Sequence, residues 1–201
     1  MAGVVAAEPI QGINWSIERG LVTGSTAEAA AQEILGGIAD GNPMISFDHV
    51  REKHGFSGYL IDGLGYLTEE EIAAPDFAFK SLLVVRKALE PFKDPALLAD
   101  PDTEHYDQAM VNIIDPGGKV PWHRDDSMWS LAFVNLAAEV KVKAKHIDEA
   151  KVTEETLVPG DGFRVTNPKK LKQRPGHAIV NLSDFVRVGY GEYTHKHTAD
   201  K

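Results

Sequence analysis

The pattern of apolar and polar positions changes character about half-way along the chain. In the first half the spacing is helical. Ser25-Thr26-Ala27-Glu28 has the form of a capping box, in which a hydroxyl and a carboxylate satisfy the first free amides of a helix. It precedes the run Ala29 to Leu35, which Gly36-Gly37 is placed to close. Thr68-Glu69-Glu70-Glu71 repeats the start signal, and Ser81 to Leu89 reads as a further helix stopped before Pro91.

The second half is written in short strands. Gln108 to Ile114 is strand-like and runs into the turn Asp115-Pro116-Gly117-Gly118. Leu131 to Leu136 and Val140 to Ala144 follow, then Ala178 to Leu182 and Val186 to Tyr190 around a tight Ser183-Asp184-Phe185 turn. Helices first and many short strands afterwards predict a mainly β jelly roll with a helical layer on one face. No linker or repeat divides the 201 residues, so one domain is expected over 1–201, a helix-containing part at 1–105 preceding a β core at 106–201.

Composition narrows the function classes. Hydrophobic residues at 43% and charged residues at 25% fit an ordinary globular chain. There is no cysteine, which excludes disulfides, thiolate metal sites and cysteine nucleophiles. No apolar run is long enough to span a membrane, the N-terminal residues lack the plan of a secretory signal, and a cytoplasmic location is expected. The net charge is −9. Residues 1–140 hold 9 lysines and arginines against 22 acids, and residues 141–201 hold 12 against 8. Such an acidic chain is a poor nucleic-acid binder, because that task needs many phosphate-neutralising cations. Lys169, Lys170, Lys172 and Arg174 are a basic cluster that reads as a solvated loop, with an anionic substrate as its functional alternative.

The chemistry is concentrated in two stretches. In Pro121-Trp122-His123-Arg124-Asp125, extended backbone puts side chains two apart on one face, so His123 and Asp125 can meet one ion. One more histidine completes a facial triad that leaves coordination positions open for iron(II) and O₂. His177, in Arg174-Pro175-Gly176-His177-Ala178-Ile179-Val180-Asn181-Leu182, is the candidate. A hairpin centred on Leu182 would set Arg187 opposite His177, with Cβ atoms roughly 5 Å apart. A guanidinium there suits a dicarboxylate co-substrate, whose keto-acid end chelates the metal. Otherwise Arg187 is a strand-edge partner of Asp184 or Glu192. Trp122 and Trp129 flank the His-x-Asp and are candidates for the wall of a substrate pocket. His195 and His197 read as part of a frayed tail, and His49, His54, His105 and His146 as surface or core residues.

With His123-Arg124-Asp125, His177 and Arg187 in this order, the chain resembles the iron(II)- and 2-oxoglutarate-dependent dioxygenases over roughly residues 106–190. The segments Asn112-x-x-x-Pro116-Gly117-Gly118-x-x-x-x-His123 and Pro175-Gly176-His177-Ala178-Ile179-Val180-Asn181-Leu182-Ser183 look most like the aspartyl/asparaginyl hydroxylase-like branch. The resemblance implies a double-stranded β-helix, iron(II) held by His123, Asp125 and His177, and 2-oxoglutarate oriented by Arg187. Asn112 and Ser130 would give it further polar contacts. It also implies O₂ as a reactant, oxidation of a C–H bond in a small molecule or peptide, and succinate and CO₂ as co-products. Two other functions stay open from the residues: a cupin-like metalloenzyme that does not use 2-oxoglutarate, and a non-catalytic β-sandwich binding module.

Overall fold

The computed structural model describes residues 10–64, 67–93, 108–125, 128–166 and 174–195, with backbone alone at 108, 128, 129 and 193–195. Strands β1 (Ile10–Gly12), β2 (Trp15–Glu18), β3 (Ile45–Arg51) and β4 (Phe56–Ile61) come before residue 106, together with helices α1 (Gly24–Ala39), α2 (Glu69–Ala73) and α3 (Lys80–Leu89). After it come β5 (Gln108–Ile114), β6 (Lys119–His123), β7 (Met128–Ala137), β8 (Val140–Lys145), β9 (Thr153–Leu157), β10 (Gly162–Thr166), β11 (Gly176–Asn181) and β12 (Arg187–His195). They form two antiparallel sheets, one in the order β1-β2-β10-β7-β12-β5-β4-β3 and one in the order β6-β11-β8-β9. Among the described residues no helix is long and apolar enough to cross a membrane.

Two apolar layers hold this arrangement. The space between the sheets is filled from Trp15, Ile17, Leu131, Phe133, Val142, Leu157, Phe163 and Ile179. The outer face of the larger sheet meets Ala27, Ala30, Ala31 and Ile34 of α1 and Leu82, Val85 and Leu89 of α3. Strand β7 serves both layers: Leu131 and Phe133 point between the sheets, whereas Ala132, Val134 and Leu136 face the helices. Burial on both faces is why this segment reads as a nearly unbroken apolar run instead of an alternating one.

Local chemistry corrects several expected boundaries. Helix α1 begins earlier than the Ser25 motif suggests, because Thr23 caps it and accepts from the Thr26 amide at 3.2 Å. Gly36-Gly37 does not end it. A Cβ on Gly37 would lie 2.8 Å from Cδ1 of Ile45, so this glycine permits a close approach, and the helix stops at Asp40 before Gly41 with φ +67°. The start of α3 is capped from α1, where the Glu33 carboxylate accepts from the Ser81 and Leu82 amides at 2.8 and 2.9 Å. The Thr68–Glu71 capping box at α2 is present as read.

The larger correction concerns the last two strands. β11 and β12 do not form a hairpin. β11 pairs with β6 and β8 in the smaller sheet, and β12 pairs with β5 and β7 in the larger one. Asn181 holds the connection between them, donating through Nδ2 to the carbonyls of Ile114, Asp115 and Phe185 at 3.0, 3.1 and 2.8 Å. The chain therefore crosses from one sheet to the other between residues 181 and 187, and His177 and Arg187 approach the inter-sheet space from opposite sides.

Candidate metal and anion site

One end of the space between the sheets stays open as a cavity of about 360 Å³, lined among others by Asn112, His123, Asp125, Phe133, His177 and Arg187. Histidines 123 and 177 are direct cross-strand partners on β6 and β11, which places their ring centroids 4.3 Å apart. Opposed positions of this kind bring side chains into contact whatever their separation in sequence. Asp125 follows the end of β6 and turns back between them. Its Oδ1 is 3.4 Å from Nε2 of His123, and its Oδ2 is 4.0 Å from Nε2 of His177. One ligand atom from each residue lies within 4.8 Å of the others.

The two histidines differ in how readily they would meet a cation. Nδ1 of His123 is 2.8 Å from the Pro121 carbonyl; donation there leaves Nε2 as the lone pair facing Asp125. Burial lowers the His123 pKa, but the Asp125 hydrogen bond and charge outweigh it and raise the net value. His177 is fully buried and pushed down to about 4, first by burial and against the pull of Asp125, so its imidazole is neutral at pH 7. A carboxylate and two imidazoles are the donor set of a two-His-one-carboxylate centre.

Arginine 174 ties the two halves of this cluster together. Its Nη1 donates to the main-chain carbonyl of Asp125, while its own carbonyl accepts from Nε of Arg124 at 2.9 Å. The residue before the Pro175-Gly176-His177 strand is thus bonded to the loop that carries Asp125. This buried position contrasts with the solvated loop expected for the basic cluster; Lys169, Lys170 and Lys172 lie outside the described residues.

Arg187 enters from the other sheet and is fully buried. Its Nε donates to Oδ1 of Asn135 at 3.0 Å and its guanidinium carbon is 5.2 Å from the centre of the Phe133 ring. Nη1 and Nη2 have no hydrogen-bond partner among the described residues. Neither Asp184 nor Glu192 takes it: Glu192 receives Lys93 at 2.6 Å, Arg86 at 3.2 Å and the Tyr190 hydroxyl at 2.7 Å on the helix side of β12. Burial pushes the Arg187 pKa down to about 9, which still leaves it charged at pH 7. A buried cation with two free prongs is costly unless an anion meets it.

The structure places the remaining expected residues unevenly. Asn112 lines the cavity, and its buried Oδ1 lacks a partner among the described residues. Ser130 does not reach the cavity. It lies on the helix-facing side of β7, and its hydroxyl donates to the Val165 carbonyl at 3.1 Å. Trp122 also stands apart. The pairing of β6 with β11 is irregular between His177 and Ile179, which turns the half-exposed indole outward over Gly176. The side chains of Trp129 and His195, and all of His105 and His197, lie outside the described residues. His49 is no bystander, since it lines the cavity together with Arg51.

Sequence reading missed Asn135 and Gly189. Asn135 lies two positions after Phe133 on the cavity face of β7, a spacing visible in the sequence once that strand is oriented. A Cβ on Gly189 would meet three guanidinium atoms of Arg187 at 2.2–2.4 Å, so only glycine lets Arg187 lie back along β12. A glycine inside a strand, two residues after an arginine, is the signal that could have found it.

No protein-family model matches the chain, and no curated protein matches it. Among solved structures, a prolyl-4-hydroxylase from Pseudomonas putida is similar at a TM-score of 0.56 and 17% identity, over 91% of this chain and 92% of that one. The fold is a double-stranded β-helix. The cupin domain of CENP-C from Drosophila melanogaster (13% identity, TM-score 0.44, 74% of each chain) is a more distant likeness. So is an oxalate oxidase (14% identity, TM-score 0.38, 44% of this chain and 41% of that one).

Proposed function

We propose that the protein is an iron(II)- and 2-oxoglutarate-dependent oxygenase that oxidises a C–H bond of a small molecule or peptide. The observation that carries this reading is the buried, two-pronged guanidinium of Arg187 in the same cavity as His123, Asp125 and His177. A metal site alone fits many cupin-like activities. A metal site facing a desolvated arginine fits a bidentate co-substrate with a carboxylate at its far end. The proposal extends to the superfamily and leaves the aspartyl/asparaginyl hydroxylase-like branch open.

In this reading His123, Asp125 and His177 hold the metal, and Arg187 receives the distal carboxylate. Asn135 and Gly189 fix the guanidinium, and Asn112, which lines the same cavity, would donate to that ligand through Nδ2. When bound, iron(II) and 2-oxoglutarate supply the oxidising chemistry with O₂, yielding succinate and CO₂. The protein's share is to position the reactants and keep water from them.

The test is succinate formation from 2-oxoglutarate by protein loaded with iron(II) in air. A cupin-like metalloenzyme of another kind would bind metal and give no succinate; a binding module would take up no metal tightly. Gly189→Ala is a second check. Its methyl group should displace the Arg187 guanidinium, lowering 2-oxoglutarate affinity about tenfold with metal affinity unchanged, as read by calorimetry. Equal affinity for 2-oxoglutarate in Gly189→Ala would detach Arg187 from the co-substrate.

A further inference from the structure

The cavity mouth carries charge that the proposed inner site does not use. Arg51, at the end of β3, and Arg124, just after β6, both line the cavity and are exposed. Arg51 makes no hydrogen bond or ion pair among the described residues. Among the described residues Arg124 is held only through Nε by the Arg174 carbonyl, and its terminal nitrogens meet no partner there. Arg51 is close enough to His123 for its charge to oppose protonation of that imidazole. The third basic group at the mouth, His49, is engaged by Asp48 at 2.6 Å. Among the described lining residues the only carboxylate is Asp125, which belongs to the metal cluster.

The charges then divide into two sets. In the function proposed above, on which this inference rests, a divalent metal and Arg187 are balanced by Asp125 and the two carboxylates of 2-oxoglutarate. Nothing in that inner set compensates Arg51 and Arg124. Two guanidinium groups at the entrance of a chain whose net charge is −9 mark a local reversal of sign. Planar guanidinium forks match oxyanions in a way that water or an amide does not.

We infer that Arg51 and Arg124 form the recognition site for the substrate to be oxidised, and that this substrate carries an oxyanionic group, a carboxylate or a phosphate, held at the cavity mouth while its reacting carbon points toward the His123–Asp125–His177 cluster. Electrostatic focusing by the mouth also speeds capture of such a molecule.

The experiment uses the full chain loaded with zinc(II), which is redox-silent, and saturated with 2-oxoglutarate, so that Arg187 is already occupied. Ligand-observed NMR then screens a size-matched set of fragments with equal numbers of carboxylates, phosphates, neutral amides and amines. Wild type should favour the anionic members by about tenfold over their neutral isosteres. The Arg51→Gln/Arg124→Gln double variant should lose that preference. The carboxylate and phosphate arms identify which oxyanion is taken. Wild type showing no anionic preference, or the double variant keeping it, overturns the inference. A 2-oxoglutarate titration of the same samples keeps the two claims apart. Its failure in wild type counts against the oxygenase reading, whereas normal 2-oxoglutarate binding without anion preference counts against the mouth alone.

Discussion

Asp125→Ala should bind iron(II) more than about 100-fold more weakly than wild type and should remain folded. Loss of an outer partner of a metal ligand already costs roughly 10–100-fold in affinity, and Asp125 is proposed as a ligand itself. The fold should tolerate the change for a reason visible in the structure. Arg174 holds the loop through the main-chain carbonyl of Asp125, so that bond survives removal of the carboxylate. The carboxylate itself is buried beside two imidazoles, 3.4 Å from Nε2 of His123 and 4.0 Å from Nε2 of His177. The variant also removes the group that raises the His123 pKa and that opposes burial at His177, so both imidazoles should become less basic. Calorimetric titration with iron(II) under nitrogen measures the first effect and thermal unfolding of the metal-free protein the second. Full iron occupancy in Asp125→Ala would remove the carboxylate from the metal site.

Arg187→Met should weaken 2-oxoglutarate binding by about one to two orders of magnitude and leave iron(II) binding nearly unchanged. A charge-assisted contact contributes roughly 1.5–3 kcal/mol, about one to two orders of magnitude in affinity, and this substitution removes it while keeping most of the side-chain volume. Arg187→Lys should recover only part of the loss, because an ammonium cannot reproduce the planar fork. The effect on the ligand-free protein has the opposite sign. Arg187 is buried with two open prongs, its only side-chain hydrogen bond among the described residues being to Asn135. Exchange of such a charge for an apolar group should keep or raise the melting temperature. A purely structural arginine would behave the other way, with Arg187→Met losing stability and keeping its affinity for 2-oxoglutarate.

Five of the eight strands described after residue 106 and the His-x-Asp and His177 positions were legible because each has a local signature, whereas β6, β9 and β10 were not read. The segment from Gln108 to Ile114 is a short, mostly apolar run that ends in a turn, and His-x-Asp is a spacing that extended backbone converts into proximity. What could not be read was partnership. Nothing local to residues 177–187 distinguishes a hairpin from a crossing between sheets; that depends on the Asn181 side chain reaching carbonyls as far away as Ile114. The early strands were missed for a related reason. β3 lies at an edge and exposes most of its residues, so its apolar alternation is weak, and β1 and β2 are only three and four residues long. Ser130 was misplaced because the face of β7 is set by its neighbours, and both of its faces are buried. His49 and Arg51 joined the site only through the pairing of β3 with β4, which no spacing in the sequence announces.

In the proposed function one cavity holds a metal at His123, Asp125 and His177 and a keto-acid between that metal and Arg187. Anaerobic titration of the protein with iron(II) and then 2-oxoglutarate tests both halves in one cuvette. The expected result is a visible metal-to-ligand charge-transfer band that appears only when both are present and saturates at one equivalent of each. It should be absent in Asp125→Ala and require much higher 2-oxoglutarate in Arg187→Met. A protein that binds iron(II) but develops no such band at any 2-oxoglutarate concentration would contradict the account.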